Sequence, residues 1–544
     1  MDIQQPEWSF TPGRPIREGR RYPLESLFKY GAARFPERAA ISDANNTYSF
    51  YALELGARRI ASHLDAAGVR PGDRVAVLTE KLALTPMLAV AIWKLGAVYC
   101  PLDGQDSSAR NRRILELLHP AAILECRKPI AFGAPQPGAI PLALLEQVAT
   151  SGRTTEWSKK VEVNESAPAY IMFTSGSTGS PKGVMISHCS LLDYFHNHNQ
   201  VLRFTSGSRV LSFAPFHFDV SLEDTFLPLS VGAFVYQFRG VPLAPIVQSL
   251  LENARLTHMI AVSTLLTLIT RQNARISPAT LPELEMVMTG AEVCDPKIIN
   301  VWKERMPHTR VINAYGPTEA TIVCLTHTVE QPQPDRKDAY PIGRPLLGVH
   351  IRLADPQGET AAGDTGELWV GGTQVMIGYF NEPEATRRAI AVRDGVRYYR
   401  TGDICRLNSS GEVEFIGRVD DEVKIGGRRI NLAEIRQVAM GHALVARAVV
   451  GLVDLAGRRQ LALLGVSDFG AAAFEPLRAH MQHNLPVHMQ PSVLAVAESP
   501  HLSSTGKTAE LYLVGLLQQA CTRYGIDRYI LTAAGAFAPH QDAS

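Results

Sequence analysis

No cysteine in this chain has a partner at short spacing. The seven, at positions 100, 126, 189, 294, 324, 405 and 521, are scattered, odd in number and include no Cys-x-x-Cys pair. That excludes a disulfide scaffold or a cysteine-ligated zinc site and fits a reducing, cytoplasmic setting with buried thiols. An excess of either charge is also missing: 54 Lys and Arg stand against 53 Asp and Glu, a net +1. Bulk electrostatic binding to nucleic acid or to an anionic membrane is therefore not expected. Arg14, Arg17, Arg20 and Arg21 cluster near the start and read as solvated surface. The most apolar stretch, 82–100, is broken by Lys94 and reads as buried helix and strand, not as a membrane span. Met1-Asp2-Ile3-Gln4-Gln5 carries no apolar signal segment, and there is no short-period repeat or heptad run.

What is present is an ordinary globular composition, 46% apolar and 20% charged, in 544 residues, too many for one core. Helical periodicity over 53–67 gives way at Pro71-Gly72-Asp73 to the strand 74–78; a helix over 85–95 leads to a strand at 97–99. The alternation continues for some four hundred residues and predicts an α/β protein of largely parallel sheets with covering helices. Pro/Gly-rich breaks at 128–141 and 330–341 read as surface loops. After Asp420 short strands and helices take over, with Val423 and Ile425 alternating and an apolar run at 449–453. The expected division is a large domain, 1–419, and a small mobile α+β domain, 420–544, of a size that folds alone.

The densest chemical signal is Thr174-Ser175-Gly176-Ser177-Thr178-Gly179-Ser180-Pro181-Lys182-Gly183, between two apolar strand patterns at 169–173 and 184–186. Its glycines let the backbone approach a ligand, its hydroxyls and N–H groups can cradle phosphate oxygens, and Lys182 adds a positive charge. It is not a Walker A loop, because no Gly-Lys-Ser/Thr ends it and no helix follows at once. By itself it could be a flexible Ser/Gly loop.

Other segments decide between these. Asn313-Ala314-Tyr315-Gly316-Pro317-Thr318-Glu319 offers an aromatic plane, a tight turn, a hydroxyl and a carboxylate, which suit a purine and a hard Mg²⁺ ion shared with phosphates. In isolation it is a Gly-Pro turn with an exposed acid. Tyr399-Arg400-Thr401-Gly402-Asp403 ends a strand on a carboxylate able to accept two ribose hydroxyls, or on an ordinary turn aspartate. Gly417-Arg418-Val419-Asp420-Asp421 and Lys424-Ile425-Gly426-Gly427-Arg428 fall at the domain junction, and Ser504-Thr505-Gly506-Lys507 sets one lysine on a late turn.

In this order and spacing, together with Gly96-Ala97-Val98-Tyr99-Cys100-Pro101-Leu102-Asp103 and Gly366-Glu367-Leu368-Trp369-Val370-Gly371-Gly372, these segments resemble the adenylate-forming superfamily. That superfamily holds the acyl-CoA synthetases, the luciferases and the adenylation domains of nonribosomal peptide synthetases. The resemblance runs from about Tyr48 to Lys507. It implies that Thr174, Ser175, Gly176, Ser177, Thr178, Gly179 and Lys182 grip the β/γ-phosphates of ATP. Tyr315 is then the adenine-stacking residue, with Asn313, Ala314 and Gly316 beside it. Thr318 and Glu319 hold Mg²⁺ and phosphate, Asp403 the ribose, and Arg418 the ribose or phosphate. Lys507 bridges the substrate carboxylate and the α-phosphate, a cation placed where charge builds up. The resemblance further implies a hinge at Asp420 and a phosphopantetheine path past Gly426 and Gly427. Two departures are visible: Asn431 where the family usually has Glu, and Thr-Gly-Lys-Thr in place of Asn-Gly-Lys-Val around Lys507.

Substrate class turns on Pro215-Phe216-His217-Phe218-Asp219-Val220-Ser221. Amino-acid-activating members carry Phe-Asp-x-Ser here, and the resemblance gives Asp219 the α-ammonium. A buried aspartate calls for a cation, although Asp219 could instead cap a helix starting at Ser221. His217, Asp219, Val220, Glu223, Thr264, Met288, Gly290, Ala314, Ile322 and Val323 are the implied pocket. Glu223 facing inward predicts a basic side chain such as lysine or ornithine; turned away or paired with a protein cation, it predicts a small one such as glycine, alanine or proline. His196 and His198, two apart on a helix, do not converge on a metal and read as surface residues. No Leu-Gly-Gly-x-Ser carrier motif follows Lys507. The expectation is an amino acid–carrier protein ligase that uses ATP and Mg²⁺ and loads a phosphopantetheinylated carrier protein in trans. Transfer to CoA or a free amine, and a catalytically silent binding protein, are the alternatives.

Overall fold

The computed structural model describes residues 23–105, 109–126, 139–151, 157–159, 161–174, 181–240, 242–272, 275–361, 363–419, 422–445, 447–455, 458–467, 470–497, 514, 517–522, 528–531 and 537–539. The chain folds as two compact units. The first comprises Met1–Gln105, Leu118–Phe173 and Gly183–Val419, the second Asp106–Leu117, Thr174–Lys182 and Asp420–Ser544.

In the first unit, apolar runs become parallel strands buried on both faces, as their near-continuous hydrophobicity requires. A seven-stranded sheet runs Gly378–Tyr379, Lys182–Ser187, Pro168–Thr174, Val98–Asp103, Arg74–Thr79, Ala122–Cys126, Ile140–Pro141. A nine-stranded sheet is parallel from Arg310–Tyr315 through Met286–Gly290, His258–Val262, Arg209–Ser212 and Phe234–Gln237 to Ala39–Ser42. The strands Leu325–Val329, Arg344–Pro345 and Thr47–Ser49 add to its edges in the antiparallel sense. A third, antiparallel sheet contains Val396–Leu407 paired with Val413–Arg418.

The helices follow from their sequences. Phe50–Ala66 is capped by the Ser49 hydroxyl, which accepts from Ala52 N at 3.2 Å, and buries Leu53, Ala57, Ile60 and Leu64 at helical spacing. Thr85–Lys94 is buried on every side, and Lys94 survives there through Glu54 at 2.9 Å and the Glu25 carbonyl at 2.7 Å. The indole of Trp93 donates to the Ala169 carbonyl at 2.8 Å, tying this helix to the sheet.

The second unit contains the hairpin Glu422–Ile425/Arg428–Asn431 and a five-stranded sheet. Helices Leu432–Met440 and Phe474–Asn484 help to bury Ile430, Ile435, Leu463, Leu477 and Met481 in one core. Val423 and Ile425 share the inward face of the hairpin, as their alternation predicts. Gly426 and Gly427, at φ +59° and +75°, make its two-residue turn, a conformation that favours glycine at both positions. Among the described residues no helix is long and apolar enough to cross a membrane.

Candidate active site

The carboxyl ends of three parallel strands, His258–Val262, Met286–Gly290 and Arg310–Tyr315, lie side by side, with Ile260 opposite Met288 and Gly290 opposite Ala314. Ligands of open parallel sheets gather at such ends. Here Met288 and Ala314 are buried and Gly290 is partly open, with an added Cβ 2.5 Å from the Ala314 oxygen.

Past Tyr315 the backbone turns sharply. A Cβ on Gly316 would fall 2.1 Å from the Ile322 oxygen and 2.7 Å from Val323 Cα, both main chain. Gly316→Ala is therefore expected to lower the melting temperature by several degrees; an unchanged melting temperature shows that the turn has room. Thr318–Ala320 forms one 3₁₀ turn, followed by Thr321 and Ile322 at φ +58° and +71°. Two β-branched residues in the left-handed region are strained, and such strain persists only where neighbours over-determine it. Gln374 supplies that restraint: its amide donates to Ala320 O at 3.2 Å and Val323 O at 2.9 Å, and its main-chain carbonyl accepts from the Thr321 hydroxyl at 2.6 Å.

Asp219 meets this turn. It accepts a hydrogen bond from the Thr318 side chain and another from the Val220 N–H. Burial pushes its carboxyl up to about 6 against those two donors, and the nearby Glu319 and Glu223 carboxylates add to the rise. Helical residues begin at Val220 and run on through the turn Leu222–Phe226, so Asp219 stands immediately before them with its carboxylate on the Val220 N–H, the capping position the sequence allowed. His217 stands with its Nε2 3.7 Å from Asp103, its ring 4.5 Å from that of Phe218.

A second cluster joins Tyr315, Asp403 and Arg418. The buried Asp403 carboxylate accepts from the Tyr315 hydroxyl and from Arg418, which lies opposite it in strand register. Burial and that carboxylate push the Tyr315 hydroxyl well above its ordinary range. Asn313 uses its amide on the carbonyls of Tyr340 and Pro341, 3.3 and 2.8 Å away, and so fixes the adjacent loop. Glu319 is buried and accepts from the Tyr379 hydroxyl at 2.8 Å.

Glu223 is fully buried. Its Oε1 accepts from the Tyr194 hydroxyl at 2.7 Å and lies 2.7 Å from His198 Nδ1. His198 is thus an interior residue, correcting the expectation of two surface histidines; only His196 is exposed. Residues two apart on a helix differ by about 200° in direction, so both could not face solvent on one side. Among the described residues, Glu223 Oε2, His198 Nε2 and the Tyr170 hydroxyl have no hydrogen-bond partner. Tyr170 is close enough to Asp219 to feel its charge.

Val220 is half-buried, and Ile322 and Val323 are buried at the strained turn. Thr264 is exposed, and its N–H donates to Glu292 at 2.7 Å. Thr174 ends one strand and Lys182 begins the next. Ser175, Gly176, Ser177, Thr178, Gly179, Asp420 and Lys507 lie outside the described residues. Sequence reasoning gave no role to Tyr170, Tyr194, His198, Gln374 or Tyr379. Their signal, an aromatic or amide inside an apolar pattern, is indistinguishable from core.

Three carboxylates stand out: Asp403 bonded to the buried aromatic Tyr315, Glu319 on the strained turn, and Asp219 bonded to the Thr318 side chain. The description AMP-binding enzyme fits residues 28–380 of this chain. The chain belongs to that family. It is 32% identical over 466 residues to the nonribosomal peptide synthetase sidE of Aspergillus fumigatus, matching 83% of this chain and 21% of that one. It thus spans about a fifth of that relative's length. Among solved structures, holo-PA1221, a nonribosomal peptide synthetase protein with adenylation and carrier domains, superposes at a TM-score of 0.79 with 24% identity, covering 92% of this chain and 84% of the other. The Vibrio cholerae adenylation domain AlmE, solved with glycyl-adenosine-5'-phosphate, superposes at 0.75 with 22% identity over 94% and 100%. The α/β architecture with a large N-terminal and a small C-terminal part is that of adenylation domains.

Proposed function

We propose that this AMP-binding enzyme activates an amino acid as its aminoacyl-adenylate and passes it to the phosphopantetheine thiol of a separate carrier protein. In the first step a carboxylate oxygen of the amino acid attacks the α-phosphorus of ATP and pyrophosphate leaves. In the second the thiol sulfur, having given up its proton, attacks the acyl carbon and AMP leaves. The observation that carries the reading is Asp219, a half-buried carboxylate beside the Thr318–Glu319 turn whose charged form is disfavoured by burial and by the neighbouring Glu319 and Glu223 carboxylates. An ammonium group supplies the missing counter-charge.

Tyr315 and Asp403 suit adenine and ribose, with Arg418 at the sugar or phosphate and the loop from Thr174 to Lys182 at the β/γ-phosphates. Glu319 and Thr318 offer the hard oxygen donors that Mg²⁺ prefers. Among the described residues no three His, Cys, Asp or Glu cluster as a metal cage. Glu319 and Thr318 would hold the ion, which would neutralise triphosphate charge. Lys507, carried on the small domain 420–544, holds the substrate carboxylate against the α-phosphate. Rotation about Asp420 then withdraws it and brings Gly426 and Gly427 to the thiol path.

For the side chain, the unpaired Oε2 of the buried Glu223 favours a substrate with a hydrogen-bond donor at its far end, such as ornithine or lysine. The full burial of Glu223 and its ties to Tyr194 and His198 favour instead a short side chain that stops above it. ATP–pyrophosphate exchange over small, cyclic and basic amino acids, with acyl and aryl acids alongside, separates them. Exchange is expected with an amino acid, and the responding side chain identifies the role of Glu223. Exchange with acyl or aryl acids alone overturns the assignment of Asp219. Loading of a carrier protein in preference to CoA tests the second step.

A further inference from the structure

His217 and Asp219 ride on the segment 213–221, so the aim of the acid site depends on what fixes that segment. It leaves the sheet at Ser212 and ends in the π-helical turn Leu222–Phe226, a rare conformation often found beside functional sites. Asp224, on that turn and fully buried, closes the segment back on its own start. Its Oδ2 accepts from the N–H groups of Phe213 and Ala214, both at 2.9 Å, and its Oδ1 from the hydroxyls of Ser212 and Thr225 at 2.7 and 2.9 Å. Lys81 arrives from the first sheet. Its ammonium donates to the Ser212 hydroxyl at 2.7 Å and to the Ala214 carbonyl at 2.5 Å, 4.0 Å from Asp224 and 5.3 Å from the Phe216 ring centroid.

Two opposite charges in the interior are tolerable only when paired and hydrogen-bonded; here Asp224 accepts from two N–H groups and two hydroxyls, and Lys81 donates to the Ser212 hydroxyl and the Ala214 carbonyl. Neither is among the groups assigned to ATP, Mg²⁺ or the acid. We infer that Lys81 and Asp224 are positioning residues that clamp the 213–221 segment and thereby set Asp219 for binding of the acid. The inference rests on the proposed function for what the segment binds, not for how it is held. Without the ammonium, Ala214 loses its outer tie and Asp224 its counter-charge. A displacement of about 1 Å at a reacting group can cost on the order of 100-fold.

The test compares Lys81→Met, Lys81→Arg and Asp224→Asn with the wild type in pyrophosphate exchange, using whichever acid the wild type activates best. KM is measured separately for acid and ATP, and hydrogen exchange is followed over 213–222. Lys81→Met is expected to raise the acid KM roughly 10-fold or more while ATP KM stays within about two-fold, the split expected of a site-specific displacement. Amide protection at 213 and 214 should fall, and Lys81→Arg should restore part of both. Acid and ATP KM rising together with a lowered melting temperature would reveal a structural role only, and unchanged protection overturns the clamp. A wild type that activates only a non-amino acid removes the ammonium assignment of Asp219, while that acid's KM still judges Lys81. In a wild type silent toward every acid, hydrogen exchange alone decides.

Discussion

Asp219→Asn is expected to lower kcat/KM for the amino acid by about 200- to 4,000-fold, chiefly through KM, with ATP KM nearly unchanged. The size follows from leaving a buried ammonium beside a neutral amide, a loss of about 3–5 kcal/mol when one partner of a buried pair is removed. The amide keeps Asp219's size, so packing against Thr318 and Val220 survives and the charge alone is tested. A pH dependence accompanies it. With the carboxyl pushed up to about 6, Asp219 is ionised at neutral pH and gains a proton as pH falls through that value. The wild-type amino-acid KM should therefore rise below pH 6, and the asparagine variant should lack that limb. Exchange kinetics from pH 5 to 8 check both. A variant with near-wild-type KM assigns Asp219 a role in the turn rather than at the substrate.

Lys507→Ala should have an effect of similar size on the other kinetic constant. A cation aimed at developing charge contributes about 3–4 kcal/mol to the barrier, so kcat for adenylate formation is expected to fall roughly 100- to 1,000-fold. The thiol step, supplied with preformed aminoacyl-adenylate and carrier, should run close to the wild-type rate, because the proposed rotation takes the lysine away before the thiol arrives. Single-turnover assays of each half-reaction make the comparison. Equal loss in both steps, or in neither, removes Lys507 from the proposed role.

Much of this architecture is written in local sequence. Apolar runs at 74–78 and 169–173 become buried parallel strands, their shortness favouring strand over helix. The helix over Phe50–Ala66 is equally local, its cap and stripe both visible in the residues. Tyr315, Thr318 and Glu319 are legible because they share one turn. Interactions that cross the sequence are not. Lys81 finds Ser212 at a separation of 131 residues, and Tyr315 finds Asp403 at 88. His198 misleads because a histidine pattern says nothing about which face of its helix meets Glu223, on a separate turn. The strained pair Thr321 and Ile322 has no signature, since the force that holds it comes from Gln374 on another loop.

The burial of the cysteines bears on product fidelity. An aminoacyl-adenylate is an electrophile, and any thiolate within reach can intercept it. Among the described residues Cys100, Cys294, Cys324, Cys405 and Cys521 are buried and Cys189 is half-buried. Burial pushes the Cys100 and Cys294 thiols up to about 12 and raises Cys405 and Cys521 as well. Held in the protonated form, these sulfurs are poor nucleophiles at neutral pH. Under the proposed function, these buried thiols stay unreactive toward the adenylate the enzyme forms.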